Sequence, residues 1–250
     1  MTICKLCQED KKLIKKSHII PDFLYKKIYD EKHKLISFTP SEYQEDKKVK
    51  TPSSSEYEGQ LLCEECDNKL IGQYESYADK TIYGGNFGKT KAPDCQKLRS
   101  QDLLLLQCKN LDYTKLKLFF LSILWRASIS SRPMFSEVNL GDKYTKRIQN
   151  MLIEGDASND TDIAIVALTW SLDNKAPRDL VISPRLSKSG GKFMYLFPIS
   201  GFLYFFYVSP DSCHKDFQDY RLKEDGAITF IEIPKGYFWK FVFNYTGVSK

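Results

Sequence analysis

Two cysteine pairs, Cys4-x-x-Cys7 and Cys63-x-x-Cys66, flank the run Ser17-His18-Ile19-Ile20-Pro21; no other residues in the chain have types and spacing so suited to chemistry. In each CxxC two thiolates of one tight turn can reach a single ion, and two such turns complete the tetrahedral shell of zinc. Four sulfur ligands leave no open position, so the expected role of Cys4, Cys7, Cys63 and Cys66 is to hold a structural Zn2+ that staples a small domain. The 55 residues between the pairs far exceed the spacing of a compact finger, so the intervening chain must fold as a unit of its own. His18 lies inside that unit, and imidazole is the side chain that exchanges protons near neutral pH. Glu58, Asp67 and Asn68 stand close to the second pair. Carboxylates there are hard oxygen donors acceptable to Mg2+ or Mn2+. Asp67 equally suits the first turn of a helix, where it meets free N–H groups and the helix dipole.

Composition sets the frame for these residues. The 250-residue chain has an apolar fraction of 42% and a charged fraction of 28%, near globular averages, which predicts one or two folded domains. Polar residues from Cys4 to Asp10 interrupt any signal-peptide pattern, and the apolar stretch Leu116–Trp125 is too short to span a bilayer. Of seven cysteines, four form the pairs, while Cys95, Cys108 and Cys213 are scattered. Metal-bound thiolates in a reducing, cytoplasmic setting are therefore expected rather than a disulfide framework. Residues 1–50 carry 12 Lys or Arg against 8 Asp or Glu, an excess that permits a phosphate-facing surface. Lys12, Lys15 and Lys16 are its candidates, with a solvated face as the plainer alternative.

The elements that must position these groups follow from the pattern. An α+β chain is expected, with a zinc-stapled module over residues 1–90 and an α+β domain over 91–250. In the first part, Pro21–Glu31 reads as a helix with Pro in its first turn, 47–57 as a polar loop, and Glu64–Lys80 as a helix. In the second, helices are expected over about 112–131, stopped by Pro133, and 142–154, ending at Gly155. Strands follow over Ile163–Trp170, Leu180–Ile182, Phe193–Phe197, Phe202–Val208, Ile228–Ile233 and Phe238–Phe243, giving a mostly antiparallel sheet. Aromatic strands of this kind are more often core than base-stacking platforms. Arg126, Arg132 and Arg147, on or near the helices, could face phosphates or a partner.

The order CKLC, then SHIIP, then GQLLCEECDNKL resembles the zinc-stapled HNH endonucleases, across about the first 80 residues. The resemblance implies a treble-clef, ββα-metal-like module and hydrolysis of nucleic-acid phosphodiesters, with DNA the expected substrate. It implies His18 as general base, one catalytic Mg2+ or Mn2+, and Lys69 as a phosphate contact. Ser17 stands where the family carries a metal-binding Asp, Glu58 where it carries Asn, and Asp67 where it carries His. A metal site built from Asp67 with Asn68 or Glu58 is what these departures leave. The resemblance also suggests anti-phage defence beside an ATPase partner. The alternative is a catalytically inactive zinc-binding module that binds nucleic acid or a partner protein.

Overall fold

The computed structural model describes residues 2–35, 52, 55–100, 103–170, 172, 180–189, 191–234 and 237–246. Of the polar loop expected over 47–57, residues 47–51, 53 and 54 lie outside them.

The N-terminal segment is built from very short elements. A bridge between Ile3 and Asp10 closes a tight turn around the first cysteine pair, and a second, between Leu13 and Cys63, ties that turn to the second pair. Strand β1 (Ser17–His18) then pairs antiparallel with β2 (Tyr57–Glu58), Ser17 opposite Glu58 and His18 opposite Tyr57. Gly59 follows β2 because the Lys15 carbonyl oxygen lies 2.8 Å from where a β-carbon would stand. After Cys63 the chain enters a π-helical stretch, Glu65–Ile71, that runs on into α1 (Gly72–Thr81). The helix expected over Pro21–Glu31 shrinks to one 3-10 turn, Asp22–Tyr25. Side chains compete with the helix there: Asp30 accepts from the backbone N–H groups of Lys32 and Lys34, and Asp22 is drawn to Tyr29.

The next elements are β3 (Asp94–Ser100), β4 (Leu103–Lys109), α2 (Tyr113–Ile129) and α3 (Gly141–Glu154). The expected helix boundaries hold: Asp112 caps α2 by accepting from the Lys115 N–H, and Gly155, at φ 70°, ends α3 in the left-handed conformation. Every residue from Leu116 to Ala127 is buried, Lys117 and Arg126 included, as expected of a helix whose remaining residues are nearly all apolar. Strands β5 (Ala164–Thr169), β6 (Arg185–Ser189), β7 (Lys192–Ile199), β8 (Phe202–Tyr207) and β9 (Ile228–Glu232) follow, and α4 (Tyr237–Thr246) completes the described fold. The sheet has seven strands in the order β3-β4-β9-β5-β8-β7-β6, antiparallel except for the β5–β9 pair.

Alternation along the strands divides the core. From β8, Tyr204 and Phe206 pack with Phe120 of α2 and Phe202 stacks on Tyr204 in the same cluster, whereas Leu203, Phe205 and Tyr207 join a second cluster with Trp170 and Phe238 of α4. A sheet covered on both faces needs apolar residues at every position, so β8 reads FLYFFY. The first cluster runs without a break from Cys4, Ile19 and Ile71 to Phe119 and Phe230.

Four expectations are corrected. The segment Phe238–Phe243 is helix, within α4, not strand. Leu180–Ile182 reduces to a single bridge from Val181 to Ile199. Strands β3, β4 and β6 were not expected. Cys95 and Cys108, expected as scattered thiols, lie opposite each other on β3 and β4 and form a disulfide. No helix is long and apolar enough to cross a membrane among the described residues.

Candidate functional site

The four cysteines converge. Each offers one sulfur, and all four sulfurs lie within 4.8 Å of one another; zinc bonds of about 2.3 Å set tetrahedral S···S edges of about 3.8 Å, so the set fits a metal ion such as zinc. The surroundings prepare the thiolates. The Cys63 backbone N–H donates to Cys4 Sγ at 3.3 Å. Burial pushes the Cys4 thiol up, but backbone N–H groups of Cys63, Cys7 and Leu6 bring it below its ordinary value. Burial and the neighbouring sulfurs push Cys66 far up, since four thiolates crowd one another until a cation neutralises them. Among the described residues no other group of three or more His, Cys, Asp or Glu side chains gathers this closely.

The β1–β2 ribbon carries the remaining candidates, and its two faces differ. Ser17, fully buried, donates its hydroxyl to Asp67 Oδ1 at 2.6 Å. Glu58, opposite Ser17, accepts from the Ser130 hydroxyl, the Ser131 N–H and the Ser131 hydroxyl at 2.6, 2.9 and 2.7 Å. Burial pushes the Glu58 carboxyl up, yet these three donors and the Arg132 charge hold it below its ordinary value. Glu58, across the ribbon from Ser17, is thus bound to the residues that follow α2.

His18 leaves the ribbon on the other side. It is half-buried, its ring 6.1 Å from that of Tyr57, and Nδ1 lies 2.7 Å from Ser55 Oγ. Ser55 is itself buried and donates to Asp22 Oδ1 at 2.9 Å; Tyr29 donates to the same oxygen at 2.6 Å. Burial pushes the Asp22 carboxyl up, but Tyr29, Ser55 and the nearby His18 and His33 bring it below its ordinary value. The other ring nitrogen, Nε2, meets no hydrogen-bonding group among the described residues. Lys16, just ahead of β1, holds its ammonium 4.8 Å from the centroid of the Tyr57 ring.

The backbone of His18 is clamped as well. Arg126, only 2% exposed on α2, donates to the His18 carbonyl at 2.6 Å and to Glu75 Oε1 at 2.7 Å. Arg126 therefore does not face phosphates, and Arg132 and Arg147 are paired with Glu56 and Asp162. Lys12, Lys15, Lys69 and Asn68 are exposed, whereas Lys11 bridges Glu9 and Glu65. Ser55, Asp22 and Tyr29 carry no local sequence signal of a site. Arg126 does carry one, since a charge set among apolar residues of a buried helix must be paired.

No family model, no curated protein and no solved structure matches this chain.

Proposed function

We propose that this chain is an HNH-like endonuclease of the treble-clef, ββα-metal type, in which His18 takes a proton from the water that attacks a nucleic-acid phosphodiester. The water oxygen forms the new bond to phosphorus, the bridging P–O bond breaks, and the water's proton passes to His18. The observation that carries the proposal is the His18 face of the ribbon. The half-buried ring is held at Nδ1 and leaves Nε2 unengaged among the described residues, beside a Tyr57 ring that also carries the Lys16 ammonium, on a two-stranded ribbon joined through Ser17 to the cysteine-hooked helix. Asp67 and Asn68 are the donors left for Mg2+ or Mn2+; Asp67 meets the ribbon at Ser17, on the face opposite the His18 ring, so the ion would have to reach the phosphate from beside β1 to supply charge for it and for the leaving oxygen. Such ions keep several waters and need one or two protein carboxylates beside substrate oxygens.

A second reading, a binding module without catalysis, is favoured by the ribbon's other face, where Glu58 is saturated by serine donors and Asp67 is bound to Ser17. Cleavage of DNA and RNA with Mg2+ or Mn2+ decides between the two. The nuclease reading expects His18→Ala to lower the rate by about 10²–10⁴-fold with the zinc content unchanged. A wild-type chain inert on both nucleic acids, whose binding weakens with salt and ignores His18→Ala, establishes the binding module.

A further inference from the structure

The contacts around Ser55 fix where its proton lies. A serine hydroxyl has one proton to give and lone pairs to receive with. The Asp22 carboxylate, ionised because its carboxyl sits below the ordinary range, can only accept. Both the Ser55 and the Tyr29 hydroxyls point at its Oδ1, and the Ser55 backbone N–H donates in turn to the Tyr29 oxygen at 3.0 Å. Tyr29 keeps its proton, since burial and then the Asp22 carboxylate raise its phenol. With the Ser55 proton committed to Asp22, the 2.7 Å contact to His18 has one consistent direction: Nδ1–H donates to Ser55 Oγ.

We infer that Asp22, acting through Ser55, locks His18 in the Nδ1–H tautomer and so presents Nε2 as a bare lone pair. Ser55 and Asp22 are positioning residues, with Tyr29 bracing both. The assignment extends the nuclease reading, since a general base needs its free nitrogen turned to the substrate, but the tautomer is observable whether or not the chain cleaves anything. The lock is long-range: Ser55 lies 37 residues from His18 and 33 from Asp22 in sequence.

Long-range proton–nitrogen correlation NMR on the full zinc-loaded chain tests the lock, with the signals of the three histidines assigned by His33→Gln and His214→Gln. In the wild type His18 is expected to show protonated Nδ1 and bare Nε2. Ser55→Ala removes the acceptor and is expected to shift His18 toward the Nε2–H form that a free imidazole prefers. Asp22→Ala releases the Ser55 proton to turn toward Nδ1 and has the same effect. Asp22→Asn, which keeps an oxygen at the Oδ1 position, preserves the wild-type pattern. Zinc content and the His214 signal report folding; should Asp22→Ala unfold the segment, Ser55→Ala carries the test alone. An Nε2–H tautomer in the wild type, or an unchanged tautomer in Ser55→Ala, overturns the lock.

A cleavage arm separates this inference from the reading beneath it. Ser55→Ala is expected to lower kcat by about 10–100-fold with KM unchanged, as loss of an outer partner does for other functional histidines. Full activity in Ser55→Ala beside an inactive His18→Ala overturns the positioning role of Ser55 and Asp22 in cleavage and supports the nuclease. The expected tautomers in a wild type that cleaves nothing overturn the nuclease and support the lock.

Discussion

The segment around His18 and the seven-stranded sheet are held by opposite means. In the sheet, strands of five to eight residues bury aromatic side chains on both faces, and each side chain carries a small share of a large total. Around His18, strands of two residues form the ribbon, too short to fix anything by pairing alone. There the geometry rests on a cysteine cluster and on a few polar contacts that reach far along the chain: Ser17 to Asp67, Ser55 to His18, Glu58 to Ser131, and Arg126 to the His18 carbonyl. A single change should therefore be absorbed in the sheet and be felt throughout the ribbon.

Removing the metal is the severest test of that contrast. A strong chelator, or Cys66→Ser, takes away a binding energy that is also folding energy. A loss of about 5 kcal/mol lowers the Tm of a chain this size by about 10–20 °C. Reducing the Cys95–Cys108 disulfide, which joins strands already paired and spans 13 residues, is expected to cost less, about 1–3 kcal/mol. Paired melting curves measure both. Equal losses would erase the distinction between a segment that needs its sulfur and a sheet that does not.

Arg126→Met comes next in size. Truncation leaves the half-buried Glu75 carboxylate and the His18 carbonyl without their donor, which costs about 3 kcal/mol, the low end for a broken buried pair. Phe120→Leu, on the same helix but facing the sheet, is expected to cost about 1–2 kcal/mol. Urea midpoints compare them. A milder Arg126→Met than Phe120→Leu would mean that packing, not the polar clamp, fixes the ribbon.

The same contrast explains what the sequence disclosed. The cysteine pairs were legible because metal chemistry constrains residue type and spacing directly. Helix α2 was legible because an apolar run and a stopping Pro133 agree. The segment Phe238–Phe243 misled because aromatic and β-branched residues suggest a strand. Yet Phe238, Phe241, Val242 and Tyr245 recur at helical spacing; Phe238, Phe241 and Val242 join the second cluster on the sheet, and the Tyr245 hydroxyl donates to the Leu196 carbonyl of β7. Strand β3 is exposed at every residue, so no alternation marks it. The positioning of His18 was hidden for a different reason: Ser55 and Arg126 stand 37 and 108 residues away, and no local pattern records a contact made by the folded chain.

Acid should separate the two regions more gently. Asp22 and Glu58, both in the ribbon's network, have folded-state carboxyls below the ordinary 3.8 and 4.5. As pH falls, the unfolded chain takes up these protons first, so the stabilisation is complete above the unfolded values and disappears as pH drops through the folded ones. The loss therefore begins a little above 4.5 and continues to below 3.8. Among the described residues one carboxylate is buried beside the sheet, Asp162 just before β5, and it is paired with Arg147, whereas two serve the short ribbon, so amide exchange at Tyr57 should accelerate with acid before exchange at Phe206 does. Glu58→Gln, which keeps a hydrogen-bonding shape but no charge, is expected to cost about 1 kcal/mol at neutral pH and to flatten the acid slope. If the slope of that variant matches the wild type, Glu58 is not held as a carboxylate by Ser130 and Ser131, and the ribbon's second face is freer than its hydrogen bonds imply.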